Sequence, residues 1–205
     1  MRTRAFPILA LVALSFLAAC AGPAAQSVTL APQAKAPAGD VGRGRTLALR
    51  VDDGRADRMV LGYRDVDGRR TAPITSSGDL LALVGEASMR TLADMGFKPG
   101  PFREGAPLSM VITVREFEYK AWRTGMTKRI AVRCVLEARV ANGAGGWQGS
   151  FRVSQEQEVV RTPGVNENAR FINNALSESL GMMFSSPEFV RSLEREPIPQ
   201  KKAKK

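Results

Sequence analysis

Histidine is absent from this 205-residue chain. That removes Ser-His-Asp and Cys-His nucleophile pairs, histidine-containing zinc sites and the usual general base near neutral pH. A Ser-Lys pair or a pair of carboxylates stays open, so an enzyme is the least expected function class. Cysteine is nearly absent too: Cys20 and Cys134 are the whole complement, too few for a disulfide framework. The uncharged apolar stretch at the N-terminus, Ala5 to Phe16, falls short of the about 20 residues that a membrane-crossing helix needs. No internal repeat is visible.

What is present starts with that stretch. Arg2 and Arg4 form a basic head, the apolar core follows, and Leu17-Ala18-Ala19 leads straight into Cys20. Head, core and small residues are the layout of a secretory signal peptide. The triplet ending in cysteine resembles the bacterial lipobox, in which the cysteine is lipidated and becomes the new N-terminus. Residues 1–19 are then the signal peptide, and Cys134 is left without an intramolecular partner. At about 0.8 kcal/mol per buried methylene, one acyl chain binds marginally and two or more hold firmly. Ala21, rather than an aspartate, follows the cysteine. By resemblance to sorted lipoproteins this favours the periplasmic face of the outer membrane over the inner membrane.

Removing residues 1–19 leaves 28 basic against 20 acidic residues, a formal charge of +8, and Lys201, Lys202, Lys204 and Lys205 carry half of it. The folded body is therefore only mildly basic. An exported chain does not meet nucleic acid, the usual partner of a high isoelectric point. Anionic lipid head groups or cell-wall polymers fit better, and a solvated tail without a specific partner is the first expectation.

Residues 20–44 read as the lipidated cysteine and a flexible tether rich in Ala, Gly and Pro, roughly 27 Å across as a coil. Val28-Thr29-Leu30 is its one β-like patch and a candidate edge strand. Residues 45–193 read as a single domain, and residues 194–205 as a disordered basic tail. Leu47, Leu49 and Val51 alternate as a strand ending in the turn Asp52-Asp53-Gly54-Arg55. Asp67-Gly68 signals a hairpin between short strands. Ser76-x-x-Asp79 has capping-box spacing ahead of a helix over Leu80 to Met95, stopped by Gly96. Leu108 to Val114, Ile130 to Val140 and Trp147 to Val153 alternate as an antiparallel meander wet on one face. Residues 120–128, with Trp122 and Gly125, form its first connection. Asn166 is the expected cap of a second helix, and Ser186-Pro187 opens a short third. These elements predict an α+β fold: a single antiparallel or mixed β-sheet of four to six strands with two main helices packed on one face.

Asp52, Asp53, Arg55, Asp57 and Arg58 make the densest polar cluster. Alternating carboxylates and guanidiniums suit a polar ligand or a metal ion, but an ion-paired turn braced by Arg55 accounts for them more simply. Gly143 to Gly146 lacks the lysine and the following helix of a phosphate loop. Trp122, between Lys120 and Arg123, is either a sugar or lipid contact on a loop or an aromatic closing one end of the core. Cys134 lies on the apolar face of its strand and reads as a packed hydrophobe. No residue set calls for a cofactor or a metal.

The order of features resembles the YajG-like bacterial lipoproteins over nearly all of the mature length. The matching pieces are Leu-Ala-Ala-Cys20, Val28 to Pro32, Val51-Asp52-Asp53-Gly54-Arg55 with Leu61-Gly62, the first helix ending Met95-Gly96-Phe97, and a meander followed by an Asn-rich helix. The basic tail and the Trp122 region fall outside that pattern. The resemblance implies a periplasm-facing lipoprotein of poorly defined role, with no catalytic residues to carry over. The expected function is a non-enzymatic envelope module that binds a partner protein or wall component. An accessory of a lipid or lipopolysaccharide transport machine is the alternative.

Overall fold

The computed structural model describes residues 24–35, 37–66, 69–143 and 145–195. The lipobox, the Asp67-Gly68 turn and the lysine tail lie outside them. Among the described residues, eight strands and three helices follow one another in the order β1 (Gln26–Val28), β2 (Thr46–Asp53), β3 (Gly62–Val66), β4 (Arg69–Ser76), α1 (Leu80–Asp94), β5 (Lys98–Pro101), β6 (Leu108–Thr124), β7 (Thr127–Asn142), β8 (Gly145–Val159), α2 (Val165–Ser185) and α3 (Pro187–Glu194). The α+β expectation holds, but the single mixed sheet is larger than four to six strands. The extra strands β1 and β5 are short, and Lys98-Pro99-Gly100-Pro101 carries no strand signal of its own.

The 17-residue β6 is the spine. One of its edges pairs antiparallel with β7 from end to end, and β7 in turn pairs with β8. Its other edge is shared. Ser109–Val114 pair in parallel with β2, and Tyr119–Ala121 pair in parallel with β3. The sheet therefore forks, with β5 outside β2 and β4 then β1 outside β3. A bulge at Arg115 sits where the neighbour changes. One extra residue flips the side-chain parity, so Met110, Ile112 and Val114 before it and Phe117, Tyr119 and Ala121 after it are all buried. That flip explains why alternation in the sequence is clean only as far as Val114.

Both main helices cover this face. Gly85 of α1 lies against Val51 of β2, and α2 packs on β7 and β8. Leu136, Ile172, Leu176, Leu180 and Phe184 form the fully buried centre. Each such side chain contributes about 1.5–3 kcal/mol relative to exposure. The opposite face carries exposed ion pairs such as Arg129–Glu156 and Arg133–Glu116, as expected for a sheet wet on one side.

Two helix-end expectations need correcting. Asp79 itself caps α1, accepting from the amides of Leu81 and Ala82, while Ser76 accepts from Gly78. The cap position of α2 is Gly164, whose amide donates to Glu167; Asn166 is inside the helix. Gly96 does stop α1, with a left-handed φ of +84°, and Ser186 caps α3 as its Ser-Pro signal predicts.

The largest correction concerns residues 20–44. From Gln26 on, the expected flexible tether is part of the fold. Val28 and Leu30 are buried. Asn173 of α2 accepts from the Ala31 amide and donates to the Thr29 carbonyl, and Ser177 accepts from Gln33. Across the seam, Thr91 of α1 donates to the Ala34 carbonyl. An Ala- and Pro-rich composition hid this, because the contacts are made by its backbone to side chains far along the chain.

Candidate functional site

The fork places the Asp53–Arg55 turn in the sheet itself. β2 must leave the edge of β6 so that β3 can enter it, and residues 54–61 make that crossing. Gly54 still donates to the Val114 carbonyl (3.0 Å), and on the far side Tyr119 donates to the Leu61 carbonyl (2.7 Å). Between them Arg55 folds back, only 8% exposed. Its guanidinium grips Asp53 in a two-pronged pair, Nε to Oδ1 at 2.9 Å and Nη2 to Oδ2 at 2.8 Å. It also donates to the carbonyls of Arg58 and Val60, and its amide donates to Asp53. The Arg55 hydrogen bond, opposed by burial, holds the Asp53 carboxyl below its ordinary value.

The other members of the cluster do not converge on a common point. Asp52 pairs with Arg50 on the surface, and Asp57 accepts from the Met59 amide and the Tyr63 hydroxyl. Grooves of about 220 Å³ and 360 Å³ flank the crossing and share Arg55, Val60 and Leu61 as lining. The turn is thus a brace with shallow space on each side. Among the described residues no three cysteine, aspartate or glutamate side chains gather as metal ligands would.

Trp122 is not on a loop. β6 runs through it to Thr124, and the connection is a tight turn at Gly125, φ +60°. Trp122 stands opposite Arg129, next to the inward-facing Ala121 and hence on the outer, wet face. It is only half-buried and does not close the core. The structure keeps it well apart from Asp53 and Arg55 along β6. Cys134 is fully buried, and burial pushes its thiol up to about 12.

Sequence reasoning missed a buried polar chain. The Tyr119 hydroxyl donates to Asn168 (2.7 Å), whose amide donates to the Gln26 side chain (2.7 Å). Burial raises the Tyr119 phenol well above its ordinary value. Nearby Arg64 is 7% exposed, and its Nε has no partner. Nothing short of the parity flip and the seating of β1 would have revealed these residues. At the other end of the sheet a cleft of about 540 Å³ is lined by Leu47, Ala48, Pro101, Pro107 and Leu108 among others.

The sequence model of a family described as uncharacterized lipoprotein matches residues 32–194. No protein of curated function matches the chain. The crystal structure of a Xanthomonas campestris protein of the DUF330 family superposes with a TM-score of 0.52 at 12% identity, covering 76% of this chain and 90% of that one. A second crystal structure, of an uncharacterized protein, gives 0.48 at 11% identity, covering 78% and 97%. At such identity the first likeness speaks for the fold alone.

Proposed function

Because the chain belongs to the YajG-like family of uncharacterized lipoproteins, we propose that it is exported, cut before Cys20 and held by lipid on that residue. It then faces the periplasm, on the outer membrane by the Ala21 criterion, and acts as a non-enzymatic binding or accessory module. The family match, beginning 12 residues after Cys20, carries this reading. No helix among the described residues is long and apolar enough to cross a membrane.

Side-chain chemistry supports the non-enzymatic part. Asp53 and Arg55 hold each other, and the Cys134 thiol is buried and held protonated. The 540 Å³ cleft with its apolar walls favours one second reading, lipid-transport accessory, which lipid co-purified in that cleft would support. The decisive experiment is growth with labelled fatty acid. The wild-type chain takes up label and Cys20→Ala does not; equal labelling of both overturns the anchor.

A further inference from the structure

Resting on that anchored reading, we propose that the β6–β7 hairpin tip docks on the anionic lipid surface that holds the chain. Three observations place it there. The first is direction. Gln26 stands level with Ile74, Ile74 with Gly62 and Gly62 with Tyr119. Because β1 is parallel to β4, the chain before Gln26 leaves toward Pro73, Tyr63 and Lys120, which is toward the hairpin tip at Gly125.

The second is length. Six residues separate Gln26 from Cys20, a reach of at most ~21 Å. Six residues also separate Tyr119 from Gly125, which projects ~20 Å from the same level. Even fully stretched, residues 20–26 lift Gln26 from the surface by only about as much as the hairpin tip projects.

The third is chemistry. Met126 at the tip is 95% exposed and Val160 beside it 88% exposed, with half-buried Trp122 on the outer face behind them. From Tyr119 to Leu136 the hairpin carries Lys120, Arg123, Lys128, Arg129 and Arg133 and no acidic residue. Arg129 pairs with Glu156 across the strand, Lys120 with Glu118 and Arg133 with Glu116. Arg123 and Lys128 instead bond to the neutral Gly125 carbonyl and Thr162 hydroxyl rather than to a carboxylate. Exposed Met126 and Val160 flanked by Arg123 and Lys128 fit a lipid interface, where the apolar groups enter and the bases meet phosphate.

The test uses the mature lipidated chain reconstituted in vesicles. With Cys20 acylated and Cys134 buried, Met126→Cys is the one thiol open to an environment-sensitive fluorophore. Glu104→Cys, in the loop at the far end of β6, is the comparison. In vesicles containing phosphatidylglycerol, a lipid-borne quencher should quench the Met126 probe at least about twofold more than the Glu104 probe. Arg123→Glu with Lys128→Glu should lower that quenching in anionic vesicles, less so at high salt. A lipidated chain quenched equally at both positions, or shielded at Met126 by a captured protein instead, overturns the docking alone. A chain that never takes up fatty acid overturns the anchor and the docking with it.

Discussion

Arg55 shows how a residue that looks like a ligand contact serves the backbone. Its side chain is 6% exposed and that of Asp53 13%, and the guanidinium ties two backbone carbonyls of the crossing, those of Arg58 and Val60. Removing one partner of such a pair leaves a charge in a poor environment, a loss on the order of 3 kcal/mol. Arg55→Ala should therefore lower the melting temperature by about 6–12 °C. A variant that keeps its melting temperature would make the turn a contact surface instead. Asp53 adds a pH signature. Its folded value lies below the ordinary 3.8, so its contribution is complete above the unfolded value and is lost as pH falls through the folded one. Wild-type stability should decline as pH drops below about 4, and Asp53→Asn should flatten that decline while lowering stability at pH 7. Cys134, packed opposite Phe117 and Val153, should react with a thiol reagent at least about 100-fold faster in denaturant than in the native protein. Rapid native labelling would place it on the wrong face of β7.

Elements with a local signal were the legible part of the fold. Helix α1, the Ser186-Pro187 start of α3 and the inner rows of β6, β7 and β8 follow from periodicity and capping chemistry that each segment carries alone. The fork was not legible, since it depends on a bulge that no residue type announces and on two parallel pairings distant in sequence. Arg115 looks like any outer-face arginine, and it does pair with Glu137 there. Trp122 was misplaced for a related reason: Gly125 and the polar residues around it suggested a long connection, whereas one glycine in a tight turn sufficed. Gly62 is the element-scale test of the fork. Its φ is +150°, and a Cβ there would lie 1.9 Å from the Tyr119 carbonyl oxygen. Gly62→Ala must push β3 off β6, a loss on the order of 3 kcal/mol or more. Hydrogen exchange should speed up first in β3 and β4. Unchanged exchange there would deny the parallel pairing of Gly62 with Tyr119.

At the scale of the whole molecule, the N-terminal segment joins parts that composition kept separate. It adds an edge strand, fills the seam between α1 and α2, and reaches Asn168 through Gln26. The Asn-rich character of α2 gains a physical reason here, because Asn168 and Asn173 are the residues that receive this segment. Asn173 does so twice, matching one donor and one acceptor of the Thr29–Ala31 backbone much as a neighbouring strand would. Asn173→Ala leaves both groups to water or to nothing, a local loss of about 1–3 kcal/mol. Most of that should appear as opening of residues 29–35 and not as global unfolding, since Leu176 and Leu180 still hold α2 in the core. Limited proteolysis of the lipidated protein reads the difference directly. Cleavage within this segment should become about 5–100-fold faster in Asn173→Ala and release the folded domain from the membrane, while the melting temperature drops by only a few degrees. Equal cleavage rates in both proteins would mean that β1 and Leu30 hold the segment unaided, and the asparagine would lose its role as the clamp between anchor and domain.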